Sequence, residues 1–204
     1  GRWLKQSGKR EKLVIATKVG MEMAPDRKGL SKKHILASVD ESLQRLQIDC
    51  IDLYQAHQDD PATPLEESLE AFDSLVNAGK VKAIGASNYS GARLREALGV
   101  AKSKNYAVFQ TLQPHYNLYA RQDFETDLAA VSREQGLAVI PYFSLAAGFL
   151  TGKYRSEADF SKSARGGGMK KYLNDRGLRI LDALDTVAAN VHATPAQIAL
   201  AWLL

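Results

Sequence analysis

One cysteine, Cys50, stands in a chain of 204 residues. No internal disulfide can form, and a reducing compartment is the expected setting. No stretch approaches the roughly 18 consecutive apolar residues that a membrane-spanning helix needs. The opening Gly1-Arg2-Trp3-Leu4-Lys5 leads into no apolar core of a secretory leader, so a cytoplasmic location is expected. Neither an internal repeat nor a linker divides the chain, which is expected to form a single domain over 1–204. Aromatic and basic residues are not interleaved in the manner used to bind single strands, so no nucleic-acid partner is expected. A glycine fingerprint for dinucleotides is also lacking, because Lys18-Val19-Gly20 runs straight into Met21-Glu22-Met23.

What remains is an ordinary globular composition, 45% hydrophobic and 25% charged, in a chain long enough to bury a sizeable core. The net charge of +4 is spread along the chain apart from the 5–12 and 165–171 regions. Such a surface can attract a polyanionic cofactor, although a solvated surface without a specific partner is the plainer reading.

Apolar runs and helical periodicities alternate. Strands are expected at 13–20, 51–57, 81–86, 107–113 and 137–142. Ser31 is expected to cap a helix that buries Ile35, Val39, Leu43 and Leu46. Thr63-Pro64-Leu65-Glu66 reads as a capping box with proline at the first helical position, and Gly79 as the stop of the helix carrying Leu69, Phe72 and Leu75. Ser90 opens the helix of Leu94, Ala97 and Leu98. A helix over 122–135 ends at Gly136, another lies near 174–190, and Thr194-Pro195-Ala196-Gln197 opens the last. The stretch from about Thr151 to Leu173 is the longest irregular piece, and connections of that length are usually functional or disordered.

Five near-continuously apolar strands separated by helices predict a parallel sheet covered by helices. Without the doubly wound fingerprint, a (β/α)8 TIM barrel is the better expectation, with part of its strands in this sequence. Two strands deliver a titratable group at the C-terminal end, Lys18 and His57, where barrel chemistry is placed. Taken alone, each has a bland alternative: a snorkelling lysine and a satisfied core histidine. A Schiff-base lysine is a further option. Asp59-Asp60 has no His or Cys at metal-ligand spacing, so a solvated loop is expected there and no metal. His34 and His192 read as surface residues, and His115 as a candidate lining of a substrate pocket. Arg165-Gly166-Gly167-Gly168 lacks the Walker ending and reads as a flexible lid with Arg165 and Lys153 as anion contacts.

In sequence order, Ala16-Thr17-Lys18-Val19-Gly20, Asp52-Leu53-Tyr54-Gln55-Ala56-His57, Ile84-Gly85-Ala86-Ser87-Asn88-Tyr89 and Gln113-Pro114-His115-Tyr116-Asn117 resemble the third to sixth barrel strands of the aldo-keto reductase family. Pro141-Tyr142-Phe143-Ser144-Leu145, continuing to Gly148-Phe149-Leu150-Thr151-Gly152-Lys153-Tyr154, resembles the seventh strand and its loop. Thr194 to Leu204 resembles the helix before the eighth. The long loop resembles the bacterial-type and channel-β-subunit-like branch. Strands three to seven of the barrel would thus lie in this sequence.

The resemblance implies NADP(H)-dependent reduction of a small-molecule aldehyde or ketone. It assigns Lys18 to the lysine that lowers the pKa of a tyrosine acid, and His57 to the histidine that orients the carbonyl. Ser87, Asn88 and Gln113 would hold the nicotinamide carboxamide, and Tyr142 would stack on the ring. Leu145 through Leu150, with Lys153, would close over the pyrophosphate, with Phe143 and Ser144 in the same cofactor-binding stretch. Arg165 would be a further cofactor arginine. The family's aspartate and tyrosine, and strands one, two and eight, would fall outside 1–204. Phe143, Ser144 and Ala147 stand where many relatives carry Ser, Pro and Gly. An alternative within the family is a cofactor-binding regulatory subunit with little turnover. The identity of the carbonyl, the choice between NADPH and NADH, and the oligomeric state are not written in these motifs.

Overall fold

The computed structural model describes residues 1–204, which divide into two units, residues 1–114 with 127–140 and residues 115–126 with 141–204. In the first unit a short helix α1 (Arg2–Ser7) precedes β1 (Ala16–Val19). There follow α2 (Lys32–Leu46), β2 (Ile51–Ala56), α3 (Leu65–Asn77), β3 (Val81–Ser87), α4 (Gly91–Lys104), β4 (Phe109–Gln113), α5 (Ala129–Gln135) and β5 (Ala138–Val139). All pairings are parallel and the strand order is sequential, β1-β2-β3-β4-β5. A doubly wound sheet reverses its order at a switch point. This one does not, and its fold class is the (β/α)8 barrel class, with five successive strands present.

Local chemistry explains most helix starts. The Ser31 hydroxyl accepts from the His34 amide and the Ser90 hydroxyl from the Arg93 amide, each satisfying an otherwise orphaned donor. The capping box expected at Thr63 does not form. Pro64 itself is the N-cap, because the Thr63 hydroxyl donates to the Asp60 carboxylate at 2.7 Å, while Glu66 pairs with Lys104 at 2.7 Å. On α2, Ile35 and Val39 are fully buried, but the stripe continues through Ser42. At 100° per residue, position i+7 lies closer to the Ile35 direction than i+8, so Ser42 takes the place expected for Leu43.

The strands are shorter than their apolar runs. Ile15 lies just outside β1: its carbonyl still accepts from the Asp52 and Leu53 amides at 3.1 Å, but its own amide donates to the Asp52 carboxylate at 2.8 Å, and the Ala107 amide likewise donates to Asp73. The fifth strand pairs over two residues only, with Ile140 adding one hydrogen bond to Leu112. Between sheet and helices, Tyr54, Phe72 and Phe109 meet edge to face, a favourable arrangement of ring quadrupoles. Gly85 is required at the sheet's centre, since a Cβ there would come within 2.1 Å of the Thr111 hydroxyl.

In place of one helix over 122–135, a π-helical turn at Phe124–Leu128 runs into α5, which stops at left-handed Gly136. In the second unit the long segment is neither disordered nor extended. It contains 3₁₀ stretches at Ala146–Thr151, Glu157–Lys162 and Gly166–Tyr172, followed by α6 (Asp175–Asn190) and α7 (Pro195–Ala201). Phe149, Leu150, Tyr154, Met169, Tyr172, Leu181 and Leu184 form their common core. The expected capping box of Thr194 and Gln197, with Pro195 in the first turn, is present. The expectation of a loose glycine lid is corrected at Gly166, which is buried so tightly that a Cβ would collide with the Phe160 carbonyl. No helix is long and apolar enough to cross a membrane.

Candidate active site

At the C-terminal edge of the sheet, Lys18 sits opposite Gln55 in the β1–β2 register. The His57 amide continues the ladder by donating to the Val19 carbonyl at 2.8 Å. Lys18 and His57 line one small cavity of about 90 Å³ together with His34, Ser38 and Glu41. The carboxylates close by are already taken, Glu41 by Arg27 and Arg45 and Glu22 by Lys28, so Lys18 has no ion-pair partner. Burial, reinforced by the Lys18 charge, holds the His57 pKa below its ordinary 6.5, and the imidazole is therefore neutral at pH 7. A neutral ring keeps one N–H to donate and one nitrogen to accept.

The ends of β3 and β4 meet at the same edge. The Ser87 hydroxyl, almost fully buried, donates to the Gln113 carbonyl at 2.8 Å. The Asn88 amide donates to the His57 carbonyl at 2.9 Å and to the Ser87 hydroxyl at 3.2 Å. Asn88 is left-handed at φ +54°, a conformation that asparagine tolerates better than most side chains. Gln113 Oε1 is buried with no hydrogen-bond partner, and an orphaned acceptor of this kind calls for a donor. The N–H group of a carboxamide has the chemistry to satisfy it. His57, Ser87, Asn88 and Gln113 thus form one connected polar edge.

The remaining expected site residues lie in the second unit. Phe143, Ser144, Leu145, Gly148, Lys153 and Arg165 line one cavity of about 380 Å³. Phe143 and Ala147 hold left-handed backbones at φ 55° and 57°, which costs an L-residue on the order of 1–2 kcal/mol where glycine is free of the penalty. The Lys153 ammonium lies 5.1 Å from the Tyr154 ring centre. Neither Lys153 nor Arg165 is bound to a carboxylate, so the cavity presents two cations suited to a pyrophosphate. Leu150 is fully buried in the core, and only its backbone is available to a ligand. Tyr142 stacks on His115 at 5.2 Å with the rings 16° apart, outside that cavity; burial pushes its phenol pKa up.

Several groupings were not legible in the sequence. His34, read as a surface residue, is half-buried in the Lys18–His57 cavity, where its Nε2 lies 3.5 Å from the Ser38 hydroxyl. Asn117 is fully buried, donating to the Phe143 carbonyl and accepting from the amides of Tyr119 and Ala120. The Asp59-Asp60 loop is built rather than merely solvated. Asp59 binds Arg93 at 3.0 Å, and Asp60 accepts from the amides of Leu30 and Ala62 and from Thr63. Burial pushes the Asp60 pKa up, but these hydrogen bonds and Arg93 together hold it below the ordinary value. No cluster of three His, Cys, Asp or Glu side chains suited to a metal occurs.

Comparison with known proteins bears on this geometry. A family description, "Aldo/keto reductase family", matches residues 1–204. Aldo-keto reductase yakc [NADP(+)] of Schizosaccharomyces pombe is 34% identical, the match covering 100% of this chain and 61% of that protein. A probable voltage-gated potassium channel subunit beta of Arabidopsis thaliana is 32% identical over 95% of this chain and 61% of that protein. L-glyceraldehyde 3-phosphate reductase of Escherichia coli is 32% identical over 96% and 58%. The chain spans about three fifths of the length of the curated relatives it matches.

Proposed function

Because the chain belongs to the aldo/keto reductase family, we propose that it serves the NADPH-dependent reduction of an aldehyde or ketone to an alcohol. The observation that carries the reading is the pair at the ends of adjacent strands: an ammonium without an ion-pair partner, Lys18, beside an imidazole held neutral, His57. Neutral His57 donates a hydrogen bond to the substrate oxygen and fixes the carbonyl's direction. Lys18 supplies positive charge where negative charge develops on that oxygen. By the family resemblance it also lowers the pKa of a tyrosine acid.

Bound NADPH supplies the hydride. Gln113 Oε1, the orphaned acceptor, takes an N–H of the carboxamide, with Ser87 and Asn88 holding the edge on which it rests. Tyr142 provides a stacking face for the ring. Leu145 to Leu150 and Phe143-Ser144 shape the loop over the pyrophosphate, to which Lys153 and Arg165 bring charge. The choice of NADPH over NADH follows the name of the yeast relative, and a cytoplasmic location is part of the same proposal.

Lys18→Met should abolish aldehyde-dependent NADPH oxidation, followed by absorbance, while NADPH binding followed by fluorescence persists. Retention of the wild-type rate in Lys18→Met would remove the lysine from the mechanism. The channel-subunit relatives keep a second reading in view, cofactor binding without turnover. A panel of aldehydes that yields tight NADPH binding and no oxidation would select it.

A further inference from the structure

Side chains alternate along a strand, so every second residue of β2 turns away from the helices. Tyr54 takes the helix side, where it meets Phe72 of α3. Gln55 therefore lies on the opposite face, together with its register partner Lys18 on β1. His57 follows two residues later on that same face, so Gln55 stands next to both members of the proposed pair. Its side chain is almost fully enclosed, at 2% exposure. A buried carboxamide is costly where leucine would pack freely, and its polarity therefore calls for a use.

The row continues across the sheet. Gln55 pairs with Gly85, and Gly85 with Thr111. The register shifts between Ile84 and Gly85, an irregularity of the kind that gathers beside active sites. A Cβ on Gly85 would come within 2.1 Å of Thr111 Oγ and 3.1 Å of Gln55 Cγ, so both side chains lean over the bare glycine. Gln55 Nε2 is a buried donor without an acceptor, and Thr111 Oγ a buried hydroxyl without a partner. The two are complementary, and the broad terminal torsion of glutamine is the freedom by which the carboxamide can turn to join them. With Nε2 directed at Thr111, Oε1 faces the neighbouring strand, where Lys18 brings an ammonium with three donors. A neutral acceptor orients that ammonium without cancelling its charge. Resting on the reductase reading, we infer that Gln55 is a positioning residue for Lys18: anchored at Nε2 by Thr111 across Gly85, it accepts at Oε1 from the Lys18 ammonium and holds that charge beside His57.

The test measures kcat and KM for 4-nitrobenzaldehyde by NADPH oxidation in the intact protein, with the urea midpoint followed in parallel. Gln55→Met, similar in size but without hydrogen bonds, should lower kcat roughly ten- to hundredfold by releasing the lysine. KM and NADPH binding should hold, and the urea midpoint should not fall, because an unpaired buried amide has been replaced by an apolar group. Gln55→Glu should cost more turnover still, since a carboxylate there pairs with Lys18 and cancels its charge. Thr111→Val should lower kcat in the same direction, and Thr111→Ser, which restores the hydroxyl, should recover most of that loss. A purely structural residue would do the reverse, moving the midpoint and sparing kcat. A kcat for Gln55→Met within about twofold of wild type overturns the assignment. Should Gln55→Met fail to fold, the Thr111 pair decides, and no recovery in Thr111→Ser overturns it. If the wild type turns over no aldehyde, the reductase reading fails, and the position of the lysine is read without turnover. After reductive methylation with ¹³C-formaldehyde, the NMR signal of Lys18, identified by its loss in Lys18→Met, should shift in Gln55→Met. An unmoved signal overturns the contact.

Discussion

The two edges of the parallel sheet in the first unit hold similar residue types in opposite electrostatic states. At the N-terminal edge Asp52 is matched: it accepts from the Ile15 amide at 2.8 Å and binds Arg10 at 2.7 Å and Lys82 at 2.8 Å. Arg10 is fixed further by the carbonyls of Leu13 and Cys50. At the C-terminal edge Lys18 has no counter-ion, His57 is held neutral, and Gln113 keeps a buried acceptor without a donor. Unmatched polar groups cost stability. A fold retains them where they serve a ligand, so the contrast separates an edge built for stability from an edge built for chemistry.

The largest effect should come from crossing the two edges. Lys18→Met should lower turnover by roughly 10²–10⁴-fold, with little change in the urea midpoint, because no ion pair is lost. Asp52→Ala should do the reverse. It strands two cations and an amide, at a cost of roughly 2–3 kcal/mol by chemical denaturation after allowing for partial solvent screening, while kcat stays near wild type. If Lys18→Met unfolds the protein and Asp52→Ala halts turnover, the assignment of the two edges is inverted.

How much of this contrast was legible in sequence depends on the range of each interaction. Lys18 and His57 stand out because each ends an apolar run, and Ser31, Ser90 and Thr194 because a cap bonds within three residues. Thr63 misled for the same reason: Asp60, equally local, took its hydroxyl first. The matching of Asp52 was not visible, since its partners come from residues 10, 15 and 82, which only the parallel register brings together. In the long segment the length and the cations Lys153 and Arg165 were readable, but not the packing. Tyr154, Met169 and Tyr172 sit among short 3₁₀ stretches with no 3.6-residue stripe to signal that they are buried.

Between the two edges lies Gly85, opposite Gln55 and Thr111 in the register. Gln55 Nε2 and Thr111 Oγ are buried without partners, so the unmatched character reaches the sheet's centre. Gly85→Ala should cost about 1–3 kcal/mol by overpacking against Thr111. Adding Thr111→Ala should recover part of that cost but not all, because the Thr111 carbonyl would still lie 3.1 Å from the new Cβ. Full additivity of the two changes would show that Gly85 is not there to make room for Thr111.

The smallest expected effect is a difference in acid sensitivity between the edges, and its sign is fixed by linkage. His57 has a folded pKa below 6.5, with burial as the larger cause and Lys18 the smaller. As pH falls below 6.5 the unfolded chain takes up a proton that the folded one refuses, so stability declines until the lower folded value is passed. Asp52 is also lowered: burial pushes its pKa up, but the Ile15 amide, Lys82 and Arg10 together prevail. Its contribution is complete above about 3.8 and disappears as pH falls through the lower folded value. Acid therefore weakens the chemical edge first and the structural edge later. A pH series of denaturation midpoints should show a shallow decline just below 6.5 and a steeper one below 3.8. His57→Asn should flatten the upper decline, leaving the part due to His115, whose pKa is lowered by burial and by Lys171. Asp52→Asn should reduce the lower decline and leave the upper one intact. If His57→Asn leaves the upper decline unchanged, the imidazole is not held neutral, and the C-terminal edge loses the hydrogen-bond donor on which the proposed chemistry depends.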